Sequence, residues 1–421
     1  MFRRETPHPL FSYLIYLGCL VSFVTISFNW SQGRNVFFVT SYVAFIALIF
    51  NPKYYTKRID LLWAPLLFVA VGLGSILWVA AYKQPGEYIN LYRAFMVTGK
   101  LLVATGFVLL IALNEPINFS RLIKPALLLL GASVNLYIIY QGVTQGISRS
   151  ELNFDRATIA AYIITAVDLL MIYTLLHVSK KHRIILFALG FTVSYIAIIH
   201  TQTRAAILAF PIISIIMFLV DKDITKKQKY ISCLSMIALL FLSGFFLKKI
   251  IDNRIEEFKI DMSTLSDIHT SRENSVGSRI SMSKAGTLVG NQHLFGQSAE
   301  QRGNEISTLV AKNPLLAGVL PYTTIHMHNE LVDTYSLRGI WGGLLLIALY
   351  LSLLWLSLRS QKNTALLAMT ITIITYGLSD VLFFSSEATG IFGIAVILSV
   401  LIGKHTATTV QIADNQNNAN P

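Results

Sequence analysis

The chain has 421 residues, of which 54% are hydrophobic and only 13% are charged, and its mean hydropathy is +0.59. A soluble domain carries about twice that share of charged residues, so the composition excludes a soluble globular protein. The net charge of +12 would suggest a nucleic-acid partner for a soluble protein, but in a membrane protein the simpler cause is the excess of lysine and arginine in cytoplasmic loops.

Apolar runs of about 20 residues, each long enough to cross a bilayer as a helix, recur along the chain. We therefore predict an all-α polytopic membrane protein with about twelve transmembrane helices. The first run has no clear small-residue cleavage site and is expected to remain as the first span. Cys19 and Cys233 both lie in apolar runs, which favours buried thiols over a disulfide or a metal site. The predicted spans are 10–30, 36–51, 61–82, 92–113, 121–143, 157–178, 183–200, 204–220, 230–248, 339–358, 363–383 and 387–403.

Lysine and arginine are concentrated in alternate short loops, and both chain ends belong to that lysine-rich set. The positive-inside rule then predicts that both termini are cytoplasmic. The one long connection lies on the opposite side, which is the periplasm in a Gram-negative host. The predicted organisation is helices one to nine in 1–248, a large periplasmic loop in 249–338, helices ten to twelve in 339–403 and a cytoplasmic tail in 404–421.

The cations in the short loops of the predicted outer side are arginines, with Lys83 as the only lysine. Positive charge is disfavoured on that side, so the arginines that remain there favour a functional role, because the guanidinium fork matches a phosphate group. His200-Thr-Gln-Thr-Arg204 forms a very short turn in which Thr201 or Thr203 is able to cap the helix that Arg204 begins. A helix N-terminus next to an arginine is an anion site; the alternative is an interfacial arginine that reaches lipid phosphates.

The long loop contains a second candidate arginine. Ile280 to Val289 has the spacing of a short amphipathic helix, with Arg279 at its start. The alternative is a solvated surface side chain. We expect the remaining loop arginines, which lack such a context, to be solvated; they are Arg254, Arg272 and Arg302.

Two histidines precede the tenth predicted span. Histidine is suited to proton transfer near neutral pH, and His328 lies where an outer cavity would meet the membrane. His326 is the obvious rival, and a lone histidine is more often a structural hydrogen-bonding residue than a catalyst. The spacing of Asp333 from His328 does not support a pair on one helix face.

Three ionisable residues fall within predicted spans, where charge is costly and usually functional. They are Lys100, Asp168 and Asp380. Lys100 and Asp168 are candidates for a buried pair, and Asp380 is near the outer end of its span, where it is able to face the same cavity as His328. The chain has no P-loop pattern, no HExxH and no paired carboxylates typical of a catalytic metal. We therefore expect neither nucleotide hydrolysis nor a metal, and a leaving phosphate would be neutralised by arginine.

His328-Asn329 is followed by nine residues, Gly339, two residues and Gly342. This pattern matches every fixed position of the signature His-[Asn/Ser/Gln], nine residues, Gly, two residues and [Gly/Thr/Tyr] of the O-antigen ligases of lipopolysaccharide assembly. The chain resembles that family, which is related to the O-antigen polymerases and the O-linked oligosaccharyltransferases. The resemblance covers the whole chain, including the span count and the single large outer loop.

Arginines also carry the resemblance. Family arginines open the eighth span and precede a loop helix, which matches Arg204 and Arg279, and Arg156 at the start of the sixth span is similar to a third. One departure is that relatives often have Asn-Pro-x-x-Gly-x-Gly after the loop helix, where this chain has Asn291-Gln-His-Leu-Phe-Gly296-Gln-Ser298. We expect this difference to change the backbone of the loop.

The resemblance implies a GT-C-like glycosyltransferase of the bacterial inner membrane, with its active site on the periplasmic face. It would transfer polysaccharide from undecaprenyl diphosphate to a sugar hydroxyl of lipid A-core, with inversion and without metal, cofactor or ATP. Its implied partners are lipid-linked O-antigen, lipid A-core and membrane lipids, with no nucleic acid. His328 would be the general base, with Arg204 and Arg279 as catalytic residues that stabilise the diphosphate. Substrate binding would involve Arg204, Arg279, Arg156, Asn329 and Arg338.

Three alternatives remain at this stage. An O-antigen polymerase would use the same donor with a lipid-linked glycan as acceptor. A protein-directed oligosaccharyltransferase usually has a longer chain and a further C-terminal domain. A transporter or flippase for a lipid-linked glycan would use arginines along a path without chemistry, and Lys100 and Asp168 would suit it.

Overall fold

The computed structural model describes residues 6–154, 156–246, 248–263 and 275–417. All regular structure in these ranges is helical, which confirms the predicted all-α class. The first ten helices are α1 (Pro9–Ile26), α2 (Trp30–Phe50), α3 (Pro52–Tyr55), α4 (Trp63–Tyr82), α5 (Ile89–Asn114), α6 (Ser120–Val143), α7 (Ala157–Val178), α8 (Arg183–His200), α9 (Arg204–Val220) and α10 (Lys226–Phe246).

Three helices follow in the long connection, and three more complete the chain. The first three are α11 (Lys248–Ser263), α12 (Ser275–Gln292) and α13 (Ala299–Lys312). The last three are α14 (Glu330–Trp355), α15 (Thr364–Ser379) and α16 (Ser386–Asn417). Short 3₁₀ turns cover Ile59–Leu61 and Pro314–Tyr322, and a π-helical turn covers Leu356–Ser360.

Helices of membrane-spanning character run through the whole chain. Within the described ranges, nine helices are long and apolar enough to cross a membrane, and α9 and α15 are shorter apolar helices. Each of the twelve predicted spans overlaps one helix of the structure. The polytopic membrane class is therefore confirmed, while the count of twelve and the domain boundaries remain predictions.

α7 lies at the centre of the bundle and is buried along nearly its whole length. It packs against α6, α8, α15 and α16, which explains why its sequence is apolar on every face. Its Asp168 is fully buried and accepts a hydrogen bond of 2.8 Å from the side-chain amide of Asn135. Lys100 is exposed, so the predicted Lys100–Asp168 pair is wrong: an amide from the neighbouring helix solvates the carboxyl group instead.

α14 is broken at Gly339, whose φ of 69° and ψ of −163° are not helical. The connection between α12 and α13 fills the break, because Ile340 N–H donates to Leu294 O and Gln297 N–H donates to Leu337 O, both at 2.9 Å. A Cβ on Gly339 would lie 2.2 Å from Leu294 O, so both the conformation and the close approach require glycine. The break separates a short first part of α14, next to the histidines, from the apolar part that follows.

Candidate active site

His328 and Asp380 are in direct contact. The Nδ1 atom of His328 lies 2.9 Å from Oδ1 of Asp380, which is the C-cap of α15. A carboxylate can only accept, so we assign the proton of this bond to Nδ1, which leaves the lone pair on Nε2. The His328 side chain is 24% exposed. An imidazole oriented by a carboxylate, with its other nitrogen open, is the arrangement of a general base.

The backbone of His328 adopts an uncommon conformation, with φ at +45°. Such a conformation costs a residue with a side chain about 1–3 kcal/mol and persists only where the surroundings fix it. Asn329 supplies part of this fixation, because its Oδ1 caps α14 by accepting from Leu331 and Val332 N–H, each at 3.1 Å. Its Nδ2 donates to Leu378 O at 3.1 Å. One side chain thus ties the start of α14 to the end of α15, where Asp380 lies.

His326 is buried and differently bonded. Its Nδ1 accepts from His328 N–H at 3.4 Å, and its ring packs against Phe384 with centroids 4.8 Å apart. Burial lowers the pKa of His326 to about 4, against the opposing effect of the negative charge of Asp380. A buried neutral ring with Nδ1 already engaged is suited to supporting the loop, and the more exposed His328 is the better candidate for proton transfer.

Two further contacts fix the position of Asp380. Tyr162 of α7 donates its hydroxyl to Oδ2 at 3.1 Å, and Val381 N–H donates to Oδ1 at 2.9 Å.

Glu330 is almost fully buried and accepts from Phe383 N–H at 2.7 Å and from the Tyr350 hydroxyl at 3.0 Å. The segment after α15 is therefore held against the first residue of α14, close to His328.

Arg204 begins α9, as predicted, but its guanidinium group is paired with two carboxylates of α11. NH1 lies 2.9 Å from Asp261 Oδ2, and NH2 lies 3.0 Å from Glu257 Oε2. Thr203 is the N-cap residue, but its side chain does not make the predicted capping bond; its hydroxyl donates to Ala157 O at 3.3 Å. In this structure Arg204 binds carboxylates, which are anions of the same hydrogen-bonding geometry as a phosphate.

Arg279 lies on α12, the helix whose first residue contacts the same carboxylate as Arg204. It is exposed in the second turn of α12, so this helix begins earlier than the predicted Ile280. Ser275, one turn earlier on the same face, donates to Asp261 Oδ2 at 3.1 Å, which connects the start of α12 to the carboxylate on Arg204. Arg279 is also within electrostatic range of the Tyr162 hydroxyl.

Arg156 and Arg338 occupy different surroundings. Arg156 is exposed just before α7 and acts electrostatically on His326. Arg338 is half-buried, donates to the hydroxyls of Ser75 and Thr334 and lies 4.9 Å above the ring of Phe95. The Arg338 side chain therefore links α14 to α4 and α5, and its predicted role in substrate binding stays a prediction.

One arginine expected to be solvated is in fact buried. Arg302 of α13 is fully buried, and its NH1 lies 2.9 Å from Oδ1 of the equally buried Asp333. The expectation failed because the sequence does not reveal the partner that makes burial of the charge possible. Of the other two arginines, Arg272 and the side chain of Arg254 lie outside the described residues.

Among the residues that the structure describes, two groups of side chains have the composition of a metal site. His326, His328 and Asp380 have donor atoms that all lie within 4.8 Å of one another, and two imidazoles with a carboxylate suit a divalent transition metal. The second group, at the opposite end of α7, is His177 with Asp221 and Asp223. There Asp221 already accepts from the Thr364 hydroxyl at 3.2 Å and pairs with His177 at 3.3 Å.

Comparison with known proteins agrees with the sequence signature. A sequence model of the family described as O-antigen ligase matches residues 185–347, which include α9, α12 and the segment with His328. An O-antigen ligase of Escherichia coli (strain K12) is 25% identical over 398 residues, which are 94% of this chain and 94% of that protein. The chain is thus similar to O-antigen ligases, over the matched segment by the family model and along most of its length by the relative. This similarity supports a glycosyltransferase-like enzyme of the ligation or polymerisation type, and the apolar helices of the described ranges agree with a multi-pass membrane protein.

Several residues around His328 were not assigned to the site from the sequence. Asp380 was predicted only to be an ionisable residue near the end of its span that is able to face the same cavity as His328, and the structure places it in contact with that histidine. Tyr162 and Glu330 gave no such signal, since a tyrosine within an apolar run and a glutamate at a helix start are common. Their contacts with Asp380 and Phe383 depend on the packing of α7, α14 and α15.

Proposed function

We propose that this protein is an O-antigen ligase that transfers polysaccharide from undecaprenyl diphosphate to a sugar hydroxyl of lipid A-core. The observation that carries the proposal is the contact of 2.9 Å between His328 Nδ1 and Asp380 Oδ1. It leaves Nε2 as the free base, and Arg156 and Arg279 act electrostatically on two neighbours of this pair, His326 and Tyr162. The proposed site faces the periplasm, with both termini in the cytoplasm.

The reaction needs two kinds of assistance. The acceptor hydroxyl gives its proton to Nε2 of His328 as its oxygen attacks the anomeric carbon, and Asp380 stabilises the imidazolium that forms. The bond from the anomeric carbon to the diphosphate oxygen breaks with its electron pair, and undecaprenyl diphosphate leaves. Direct displacement inverts the configuration at the anomeric carbon.

Arginines supply the charge that the leaving group requires. Arg204 and Arg279 bind the diphosphate and neutralise its developing charge, and Arg156 contributes from the start of α7. The two carboxylates that Arg204 contacts, Asp261 and Glu257, support this role, since its guanidinium group donates to two anionic oxygens at once. The donor is already activated, so neither ATP nor a metal ion is part of the proposal.

The test uses purified protein with lipid-linked O-antigen and lipid A-core, in the presence of a chelator and without ATP. Core carrying O-antigen supports the ligase, longer lipid-linked glycan supports a polymerase, and the absence of any covalent product contradicts both and favours a transporter. Loss of a general base lowers the rate by about 10²–10⁴-fold, so His328→Ala should show that loss. His326→Ala is the matched control and should keep more activity; the reverse order would refute the base assignment.

A further inference from the structure

The buried ion pair between Arg302 and Asp333 lies next to the catalytic loop without reaching its surface. Both side chains have no exposed area, and NH1 lies 2.9 Å from Oδ1. Asp333 is in the first part of α14, and Arg302 is in α13. Neither residue is available to bind a substrate, so any effect on the reaction acts through the residues that they contact.

Those contacts are to the segment that carries His328. The same Oδ1 of Asp333 that binds Arg302 accepts from Met327 N–H at 3.0 Å. Arg302 also donates to Thr323 O at 3.4 Å through NH2 and to the Ser336 hydroxyl at 3.3 Å through NH1. The pair therefore holds the segment 323–327 at both ends, and the residue after it is His328.

These contacts fix the backbone directly before His328, which has an uncommon conformation. The φ of His328 is +45°, a conformation that relaxes unless its neighbours prevent it. With Met327 N–H fixed on one side and Asn329 capping α14 on the other, His328 keeps the orientation that directs its Nδ1 to Asp380. A shift of about 1 Å in a catalytic group can reduce the rate by about 100-fold.

The pair is also poorly explained by stability alone. Within the described part of the chain, Asp333 Oδ2 and Arg302 Nε have no hydrogen-bond partner although both atoms are buried. Incompletely bonded buried ion pairs are often no more stable than apolar side chains of similar volume. A role in holding the loop gives a reason for keeping the charges.

We propose that Arg302 and Asp333 are positioning residues, which fix the 323–328 loop so that His328 stays aligned as the base. The proposal rests on the proposed function, because it needs His328 to be the base. It predicts that loss of the pair lowers kcat, with little effect on folding or on donor binding.

The test is the double variant Arg302→Met with Asp333→Leu, which removes both charges and leaves neither uncompensated. We expect kcat at saturating lipid-linked donor to fall about 10- to 100-fold and KM for the donor to change by less than about twofold. Size-exclusion and thermal-unfolding profiles in detergent should match those of the unsubstituted protein. Asp168→Asn, which alters a buried carboxyl group hydrogen-bonded to Asn135, is the control and should keep kcat within about twofold.

A folded double variant with unchanged kcat would overturn the positioning role. Should that variant fail to fold, the single variant Arg302→Lys decides by the same comparison, since it keeps a positive charge beside Asp333 but loses the fork that also reaches Thr323 O. A fall in kcat at constant KM supports the role, and an unchanged kcat overturns it. The unsubstituted protein and His328→Ala are measured alongside. No product from the former refutes the proposed function itself, and an active His328→Ala protein refutes the base assignment, so each failure is distinct.

Discussion

Replacing Asp380 by asparagine tests the His–Asp contact most directly. The side chain keeps its size, but it loses the negative charge opposite Nδ1 of His328, 2.9 Å away. An asparagine amide is also able to turn its NH₂ towards Nδ1, which would move the ring proton to Nε2 and remove the base. We therefore expect Asp380→Asn to lower kcat while the protein remains folded, because the amide oxygen at the Oδ2 position still accepts from the Tyr162 hydroxyl, at the cost of the bond from Val381 N–H to Oδ1.

The size of the effect follows from the bond that is lost. A hydrogen bond to a charged group contributes about 1.5–3 kcal/mol, which corresponds to a fall of about 10- to 150-fold in kcat at about 1.4 kcal/mol per tenfold. The assay is the initial rate of core-linked O-antigen formation at saturating donor. Tyr162→Phe, which removes the hydroxyl from Oδ2 and leaves the His328 contact, is the matched control and should lose less. A kcat for Asp380→Asn within about twofold of the unsubstituted rate would refute the proposed role of the contact.

Three further predictions concern the rest of the site and its surroundings. Gly339→Ala introduces a Cβ 2.2 Å from Leu294 O at a positive φ. Thermal unfolding in detergent should therefore show a free energy of unfolding lowered by about 1–3 kcal/mol, and an unchanged melting profile would contradict the break in α14. Burial lowers the pKa of His326 to about 4 in the folded state, so at pH 5 the folded protein keeps this ring neutral while the unfolded chain binds a proton. The free energy of unfolding should therefore fall by about 2 kcal/mol between pH 7 and pH 5. His326→Gln should remove that part of the pH dependence, and equal pH dependence in both proteins would refute the burial of a neutral His326. Arg204→Lys keeps the positive charge but loses the forked donors of the guanidinium group, so KM for the diphosphate donor should rise, or kcat should fall, by about tenfold or more. Full activity of that variant would contradict a role of Arg204 in binding the diphosphate.

The starts and types of the elements were largely predictable from the sequence. The eighth span was predicted from Arg204 to residue 220, and α9 has the same bounds. The helix predicted over 280–289 exists but begins at Ser275, because the apolar spacing marks only the buried face of a helix and not the polar turn before it. Period and polarity are local properties, so they survive in the sequence even where the tertiary structure is unknown.

The partners of charged side chains were less predictable. Asp380 is 52 residues from His328, and Arg204 is 57 residues from Asp261; nothing in either segment specifies the other. Arg302 was expected in water and is buried, because Asp333 compensates its charge. Such pairings depend on how α7, α13, α14 and α15 pack, which hydrophobic periodicity does not encode.

The break in α14 also sets how deeply this helix enters the bilayer. Irregular backbone is not tolerated in direct contact with lipid tails, and we expect the turn at Gly339, which is bonded to the connection before α13, to lie at the membrane surface. Trp341, which is 61% exposed, and Phe295, which is 83% exposed, lie beside it, and aromatic side chains favour the headgroup layer. We therefore expect Gly339 to fix the height of His328 above the lipid, and with it the level at which the proposed acceptor sugar has to be presented.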